Sequence, residues 1–484
     1  MVNFQMIIPL ILYLVFIFSI ALYSKRKSSK VSGEGFIEEY FIGGRSMGGF
    51  VLAMTLIATY SSASSFVGGP GVAYSLGFGW ILLAMIQVPT AFLTLGILGK
   101  KLAVVSRKIK AVTVTDFLRA RYKNDGVVIL SSIAILLFFM AAMVAQFIGG
   151  AKLFEGITGY HYYVGLILFG ITVIVYTTIG GFRAVALTDA IQGIIMIFAT
   201  IFLLMGILRA GGGIDNIMAK IAQTNPEALT PTAGGKISQP FILSFWVLVG
   251  FGVLGLPQTT VRCMGFKDSK SLHNAMIVGT FVVGFLMLGM HLIGVLGSVV
   301  VPGLEGDGAI PGITVKVMHP ILAGIFIAGP LAAIMSTVDS MLILASAAII
   351  RDLYLNYGSK NVSLEKLSKM SFITTGIIGV LAFILAINPP SLIVWINLFA
   401  FGGLQAAFLW PTILGLYWKK ANAMGAISSM VAGVGSFIYF TITEIKFIGM
   451  HQIVQTLIIS LLAFVIGAYF GKKPDEDTIK LFWG

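Results

Sequence analysis

Residues 50–67 read FVLAMTLIATYSSASSFV, a stretch apolar enough to enter a bilayer that still carries Thr59, Tyr60, Ser61, Ser62, Ser64 and Ser65 in one cluster. Gly68-Gly69-Pro70-Gly71 follows directly, and then more sequence of membrane grade. Glycine and proline at membrane depth release backbone carbonyls and amides from the helix ladder, and hydrocarbon tolerates this only where another group satisfies them. Such a span reads either as a proline kink between neighbouring helices or as a site for an ion or polar solute. The hydroxyl cluster favours the site, because interrupted spans are the best sequence pointer to a transporter binding site.

The remainder of the chain supplies the membrane. Of 484 residues, 57% are hydrophobic and 11% charged, with a mean hydropathy of +0.97, which is the composition of a polytopic membrane protein. Apolar runs of spanning length number about thirteen. They lie near 4–23, 50–75, 79–98, 127–152, 162–179, 189–208, 240–257, 274–300, 320–348, 370–387, 391–417, 424–443 and 452–470. The first has no basic residue before it and Lys25, Arg26 and Lys27 behind it. That is the reverse of a cleavable signal and puts the N-terminus outside, and an odd number of spans then leaves the C-terminus cytoplasmic. On this alternation the cytoplasmic loops hold 26 of the 32 Lys and Arg residues, leaving only Lys152, Arg209, Lys220, Lys236, Lys316 and Lys446 elsewhere. The net charge of +13 therefore reports orientation in the membrane, not a nucleic-acid partner.

The single cysteine, Cys263, excludes an internal disulfide framework and a Cys-rich metal site. There is no phosphate-binding P-loop, no HExxH zinc spacing and no plausible Ser-His-Asp set, so neither an ATP-driven pump nor a membrane hydrolase is expected, and no enzyme. The longest outer loops, 209–239 and 301–319, show no domain pattern, and 1–484 reads as one membrane domain.

Helix seven, FILSFWVLVGFGVLGLPQTTVR, is interrupted at Gly250, Gly252, Gly255 and Pro257 much as the second helix is at 68–71. Two five-helix halves, 50–208 and 240–417, would then each open on a broken helix, with an extra helix at 4–23 and two at 424–470. Five is odd, so the second half lies inverted. The expected fold is all-α with a 5+5 inverted repeat, the solute bound at the midplane between the broken helices.

Several polar residues fall inside spans. Ser336 and Thr337 on helix nine offer adjacent hydroxyls and the stretch near Ala58–Ser61 offers carbonyls, the hard oxygens Na+ requires; alternatively the hydroxyls bond back to their own helix. Asp339 faces a cavity or a partner. Asp189, at the inner end of helix six, is either a cation waypoint or an interfacial carboxylate near Arg183. His291 is either a structural hydrogen bonder or a proton carrier. Gln87, Gln146, Trp246, Asn397 and Gln405 either contact solute or tie helices together.

At these residues the chain resembles a known family. Tyr176-Thr177-Thr178-Ile179-Gly180-Gly181-Phe182-Arg183-Ala184, followed by Thr188-Asp189 and Gln192, is similar to the first signature of the sodium:solute symporters. Gly415-Leu416-Tyr417-Trp418-Lys419-Lys420, running on to Gly425-Ala426, resembles the second, and Pro257, Arg262 and Ser336-Thr337 fall at further landmarks in order. The resemblance implies a leucine-transporter-type core. It implies a Na+ site formed by the carbonyls of Ala58, Ser61 and Ala333 with the hydroxyls of Ser336 and Thr337. Asp189 would lie on the inner sodium path or at a second sodium site.

Within the family, EEYFIGGRSMGGFVLAMTLIATY, SSASSFVGGPG, ILLAMIQVP, AQFIGGAKL and SFWVLV are similar to the pantothenate-carrying branch. The sugar-carrying branch fits poorly. Its acid-glutamine pair falls at Ser64-Ser65 here, and its inner gating tyrosine at Gly252. The resemblance thus implies Na+-coupled import of pantothenate, a small anion with an amide and two hydroxyls, across the plasma membrane. Proline or another carboxylate is the near alternative, and a sensor module or passive channel the distant one. Lys152, or the helix N-terminus after the 68–71 break with Gly68 and Gly69, would hold the carboxylate. Ser62, Ser65, Gln87, Gln146, Trp246 and Gln405 would line the remainder. Expected partners are Na+, the solute and the lipid bilayer, with no protein partner implied.

Overall fold

Apolar sequence in a bilayer must satisfy its backbone internally, and the computed structural model does so with helices. It describes residues 4–28, 42–358, 362–389 and 392–484. Lys30, Lys360 and most of the loop expected at 24–48 lie outside the described residues, as does the side chain of Arg183. Among the described residues the only β pairing is an isolated bridge between Met47 and Phe266.

Besides shorter helices at Val114–Tyr122, Ile214–Thr224 and Ala309–Val317, the helices run in order α1 (Phe4–Ser28), α2 (Gly49–Tyr60), α3 (Ser64–Leu76), α4 (Phe78–Lys108) and α5 (Asp125–Thr158). They continue with α6 (Tyr162–Ala210), α7 (Gln239–Gly255), α8 (Pro257–Arg262), α9 (Ser269–Val300) and α10 (Pro320–Tyr357). The last five are α11 (Leu364–Leu385), α12 (Ile393–Tyr417), α13 (Ala423–Thr443), α14 (Ile453–Phe470) and α15 (Glu476–Trp483). Among the described residues ten helical stretches, two of them in α6, are long and apolar enough to cross a membrane, eleven if α2 and α3 count as one span. The apolar parts of α1 (Gln5–Ile20) and of α7 are shorter. On length and composition the described residues therefore do not reach thirteen.

The loop expected around Arg183 is also corrected. α6 has helical backbone over 49 residues, with no loop between the spans expected at 162–179 and 189–208. It carries two spanning stretches, Tyr162–Ile179 and Thr188–Ala210.

Burial identifies the centre. In α10, 83% of the apolar window is buried and in α12 78%, against 33% in α11, α13 and α14. The polar run Ser336–Ser340 thus sits in the middle of the bundle, where hydroxyls can find partners, and α13 and α14 pack on each other at its edge.

The first break falls at a different place from the one the glycines suggest. α2 ends at Tyr60, Ser61 is extended (φ −71, ψ 129), and the chain resumes as a helix bent by 72°. The Ser61 hydroxyl does not hold this bend, because its oxygen is buried without a hydrogen-bond partner among the described residues. Gly68-Gly69-Pro70-Gly71 instead lies inside the resumed helix, with Pro70 in its first α-turn after a π-helical stretch at Ser64–Gly68. The glycines are there for close packing. A Cβ at Gly71 would stand 2.2 Å from the Gly306 carbonyl oxygen, and one at Gly294 of α9 would stand 2.1 Å from the Pro70 carbonyl oxygen. The second break matches its expected position: α7 loosens to π and 3-10 turns over Trp246–Gly255, Leu256 is extended, and Pro257 begins α8.

Candidate functional site

The break after Tyr60 leaves the carbonyls of Ala58 and Ser61 outside the helix ladder, and α10 crosses them. Ser336 Oγ lies 2.7 Å from Ala58 O and 3.0 Å from Ala333 O; Thr337 Oγ1 lies 2.8 Å from Ser61 O and 2.9 Å from Ala333 O. All five residues are fully buried. Five oxygens here share two hydroxyl protons, an excess of lone pairs that suits a hard cation. The expected set Ala58, Ser61, Ala333, Ser336 and Thr337 is thus brought to one point.

Asp189 lies outside this cluster and is fully buried within the protein. Its Oδ2 accepts from Thr55 Oγ1 at 2.5 Å and faces Arg262 Nη2 at 3.6 Å. Arg262 Nη2 also donates to Ser340 Oγ at 2.6 Å, and Ser340 Oγ to Ser336 O at 2.9 Å. A continuous polar path therefore joins Asp189 to the candidate cation site. Asp339 has partners on α6: the Tyr176 hydroxyl and, at 2.5 Å, Thr177 Oγ1 both donate to it.

Beside the break is a cavity of about 40 Å³, well below the ~300–1,000 Å³ typical of small-molecule sites. Each wall presents residues at helical spacing: Trp80, Leu83, Ala84 and Gln87 from α4, and Val394, Asn397, Leu398 and Phe401 from α12. Phe245 and Val249 come from α7, His291 from α9, and Tyr60, Ser62, Ser64, Ser65 and Gly69 from the broken helix. Trp80 packs edge-on to Phe245 and Trp395 at 5.8 and 6.0 Å. No Asp, Glu, Lys or Arg lines the cavity among the described residues.

Of the expected solute residues, Ser62, Ser65, Gly69 and Gln87 line this cavity, and the others lie elsewhere. Lys152 is half-exposed and paired with Glu155 at 3.1 Å. Trp246 points outward, 53% exposed. Gly68 packs against Val394 N and the Ile393 side chain. Gln146 holds the break together instead: its Oε1 accepts from Ala63 N, the first amide after it, at 2.7 Å, and its Nε2 reaches Asn397 Oδ1 at 3.4 Å. Gln405 does the same for the second break, donating to Leu248 O at 2.7 Å. Asp307 accepts from Ile393 N at 3.2 Å at the start of α12, and burial raises its carboxyl above the usual range. Sequence reasoning missed Tyr60 and Trp80 as wall residues; the α4 stripe ending in Gln87 was the signal available for Trp80.

Residues 40–433 match the model of the sodium:solute symporter family. The chain belongs to this family. Among its relatives are sodium/pantothenate symporters of Haemophilus influenzae, 52% identical over 479 residues, and of Escherichia coli, 49% identical over 478, each alignment covering 98% of both chains. The osmoregulated proline transporter OpuE of Bacillus subtilis is 29% identical over 489 residues, covering 99% of this chain and 98% of that one. A solved Na+-coupled sialic acid symporter in a substrate-bound, outward-open state shares the fold at a TM-score of 0.80 and 20% identity, covering 98% and 99% of the two chains. The nucleobase-cation-symport-1 family transporter MHP1 shares it at 0.57 and 14%, covering 92% and 97%. This sodium:solute symporter thus has the leucine-transporter-type helical fold and is a multi-pass membrane protein.

Proposed function

We propose that this symporter imports pantothenate together with Na+ by alternating access, binding the ion between α2 and α10 and the solute in the adjoining cavity. Two relatives at about half identity over their whole length carry that activity in their names. The observation that carries the mechanism is the adjacency of Ser61 and Ser62: the carbonyl of one is in the cation cluster and the other lines the cavity. Na+ is close in size to Ca2+, whose oxygen ligands sit at about 2.3–2.6 Å, so neighbouring ligands around such an ion stand roughly 3.3–3.7 Å apart. Ion binding therefore spreads the 2.7 and 2.8 Å oxygen pairs and turns the hydroxyl lone pairs inward. The movement is delivered to the backbone on which Ser62, Ser64 and Ser65 stand. That helix N-terminus, with its hydroxyls and positive dipole end, receives the solute carboxylate.

The driving force suits an anion. An inside-negative potential opposes a monoanion by ~2.3 kcal/mol per 100 mV. One Na+ cancels this, and a tenfold inward gradient adds about 1.4 kcal/mol. In the same reading, 50–208 and 240–417 form inverted five-helix halves with the N-terminus outside and the C-terminus cytoplasmic, and Asp189 lies on the inner sodium path. The test is uptake of labelled pantothenate into proteoliposomes under an inward Na+ gradient against a choline control. Accumulation only with Na+ is expected. No uptake in vesicles shown to be competent retires the cargo, and competition by unlabelled proline separates the nearest alternative.

A further inference from the structure

His291 lies near the middle of α9, 2% exposed, against the solute cavity. Its Nδ1 is 2.7 Å from the carbonyl oxygen of Met287. A carbonyl only accepts, so Nδ1 carries the proton, and in the neutral ring Nε2 is then a bare acceptor. No carboxylate lines the cavity among the described residues, so nothing on its wall compensates an imidazolium, and a buried charge without a partner is expensive. Nε2 is aimed at the broken helix: a Cβ at Gly69 would lie 2.6 Å from it, a space only glycine leaves open. Among the described residues no donor occupies Nε2.

The other polar groups on the wall differ in kind. The hydroxyls of Ser62, Ser64 and Ser65 donate as well as accept, and the carbonyl of Asn397 is already engaged by Gln146 at 3.4 Å, leaving its amino group as a donor. Gln87 offers both functions. Nε2 of His291 is thus a fixed, obligate acceptor, and it repels a carboxylate or carbonyl placed against it. What satisfies it is an N–H or O–H on the cargo.

We propose that His291 accepts a hydrogen bond from an alcohol hydroxyl of the solute, so that it is a specificity-determining residue that selects a hydroxylated acid and turns its carboxylate away, toward the serines. This rests on the pantothenate reading and deepens it. A site built to bond a hydroxyl rejects the analogue lacking it, because the buried group is left unpaired.

The experiment measures Na+-driven uptake of labelled pantothenate in proteoliposomes, competed by unlabelled pantothenate and by analogues with the hydroxyls replaced by hydrogen. The wild type is expected to favour the hydroxylated solute by roughly tenfold or more. His291→Asn keeps an amide near Nδ1, within reach of Met287, and withdraws from the cavity; His291→Gln reaches the Nε2 position and gives up the Met287 bond. The proposal requires the preference to fall to near unity in the Asn variant and to persist in the Gln variant. Any other pattern overturns it, including the reverse, which is the mark of a purely structural histidine. If the Asn variant does not fold, Gly69→Ala, which pushes the imidazole aside, carries the same requirement of lost preference. A wild type indifferent to the hydroxyls overturns this inference alone. A wild type that takes up no pantothenate overturns the cargo reading and the inference with it, and does so before any variant is made.

Discussion

Ser336 and Thr337 each stand between two carbonyls, one on their own helix and one at the break. The back-bond alone is an ordinary membrane-helix arrangement and carries no function. It is the second carbonyl that makes the pair a candidate cation site, and it predicts a selective phenotype. Ser336→Ala and Thr337→Ala each delete one oxygen ligand, worth about 1–1.5 kcal/mol, so each raises the Na+ concentration for half-maximal uptake by roughly five- to tenfold. Thr337→Ser restores the wild-type value, because the hydroxyl and not the methyl is used. Sodium titration of initial uptake rates at saturating solute measures this, and unchanged sodium dependence in both alanine variants would sink the assignment. The residues alone left this pair open, since hydroxyls in membrane helices commonly bond back to their own carbonyls; the family resemblance singled it out. Lys152 was misread although its partner is local: Glu155, three residues on and on the same helix face, takes its charge. His291 was visible as a buried polar residue, but which nitrogen faces the cavity depends on the packing of α9 against α3.

At the scale of elements, the two breaks have different causes. Leu256 is extended just before Pro257, whose missing amide costs nothing in a first turn, so the second break is written in glycine and proline and was read correctly. The first falls at the extended Ser61 and is held by Gln146 from α5, a tertiary contact no local pattern contains. The Gly68–Gly71 run looks like a breaker but provides the thin backbone against which α9 and the Gly306 loop close. Gly71→Ala and Gly294→Ala therefore overpack the interface and are expected to destabilise by about 1–3 kcal/mol each. Gly376→Ala is the control, since a Cβ there meets nothing within 4 Å. Thermal transitions in detergent provide the comparison: equal transitions for Gly71→Ala and Gly376→Ala would return the glycines to the role of helix breakers.

For the whole molecule, the expected orientation rests on the distribution of basic residues, and the structure refines how much of that distribution can be topological. Arg121 and Arg262, both counted to cytoplasmic loops, are almost wholly buried. Arg121 donates to Gly415 O at 2.7 Å and Trp418 O at 3.1 Å, joining the Tyr122 end of the segment between α4 and α5 to the end of α12, while Arg262 faces Asp189. Guanidinium groups so engaged serve the fold whichever way the bundle is inserted; the exposed lysines carry the orientation signal. The lone cysteine makes this testable without a cysteine-free background, because Cys263 is fully buried. Lys236 and Lys267 are exposed on either side of the α7–α8 segment, and Lys446 and Lys473 on either side of α14. Replaced one at a time by cysteine, Lys236 and Lys446 are expected to react with a membrane-impermeant maleimide in intact cells, and Lys267 and Lys473 only after permeabilisation. Since α14 alone separates the second pair, its members must label oppositely for any orientation of a spanning α14. The sign of that difference fixes the side of the C-terminus, and agreement between the pairs requires the number of crossings between Lys267 and Lys446 to be odd. A reversed sign in both pairs inverts the whole molecule, and with it the direction in which the positive-inside count was read; disagreement between the pairs means that one of the intervening apolar helices does not cross.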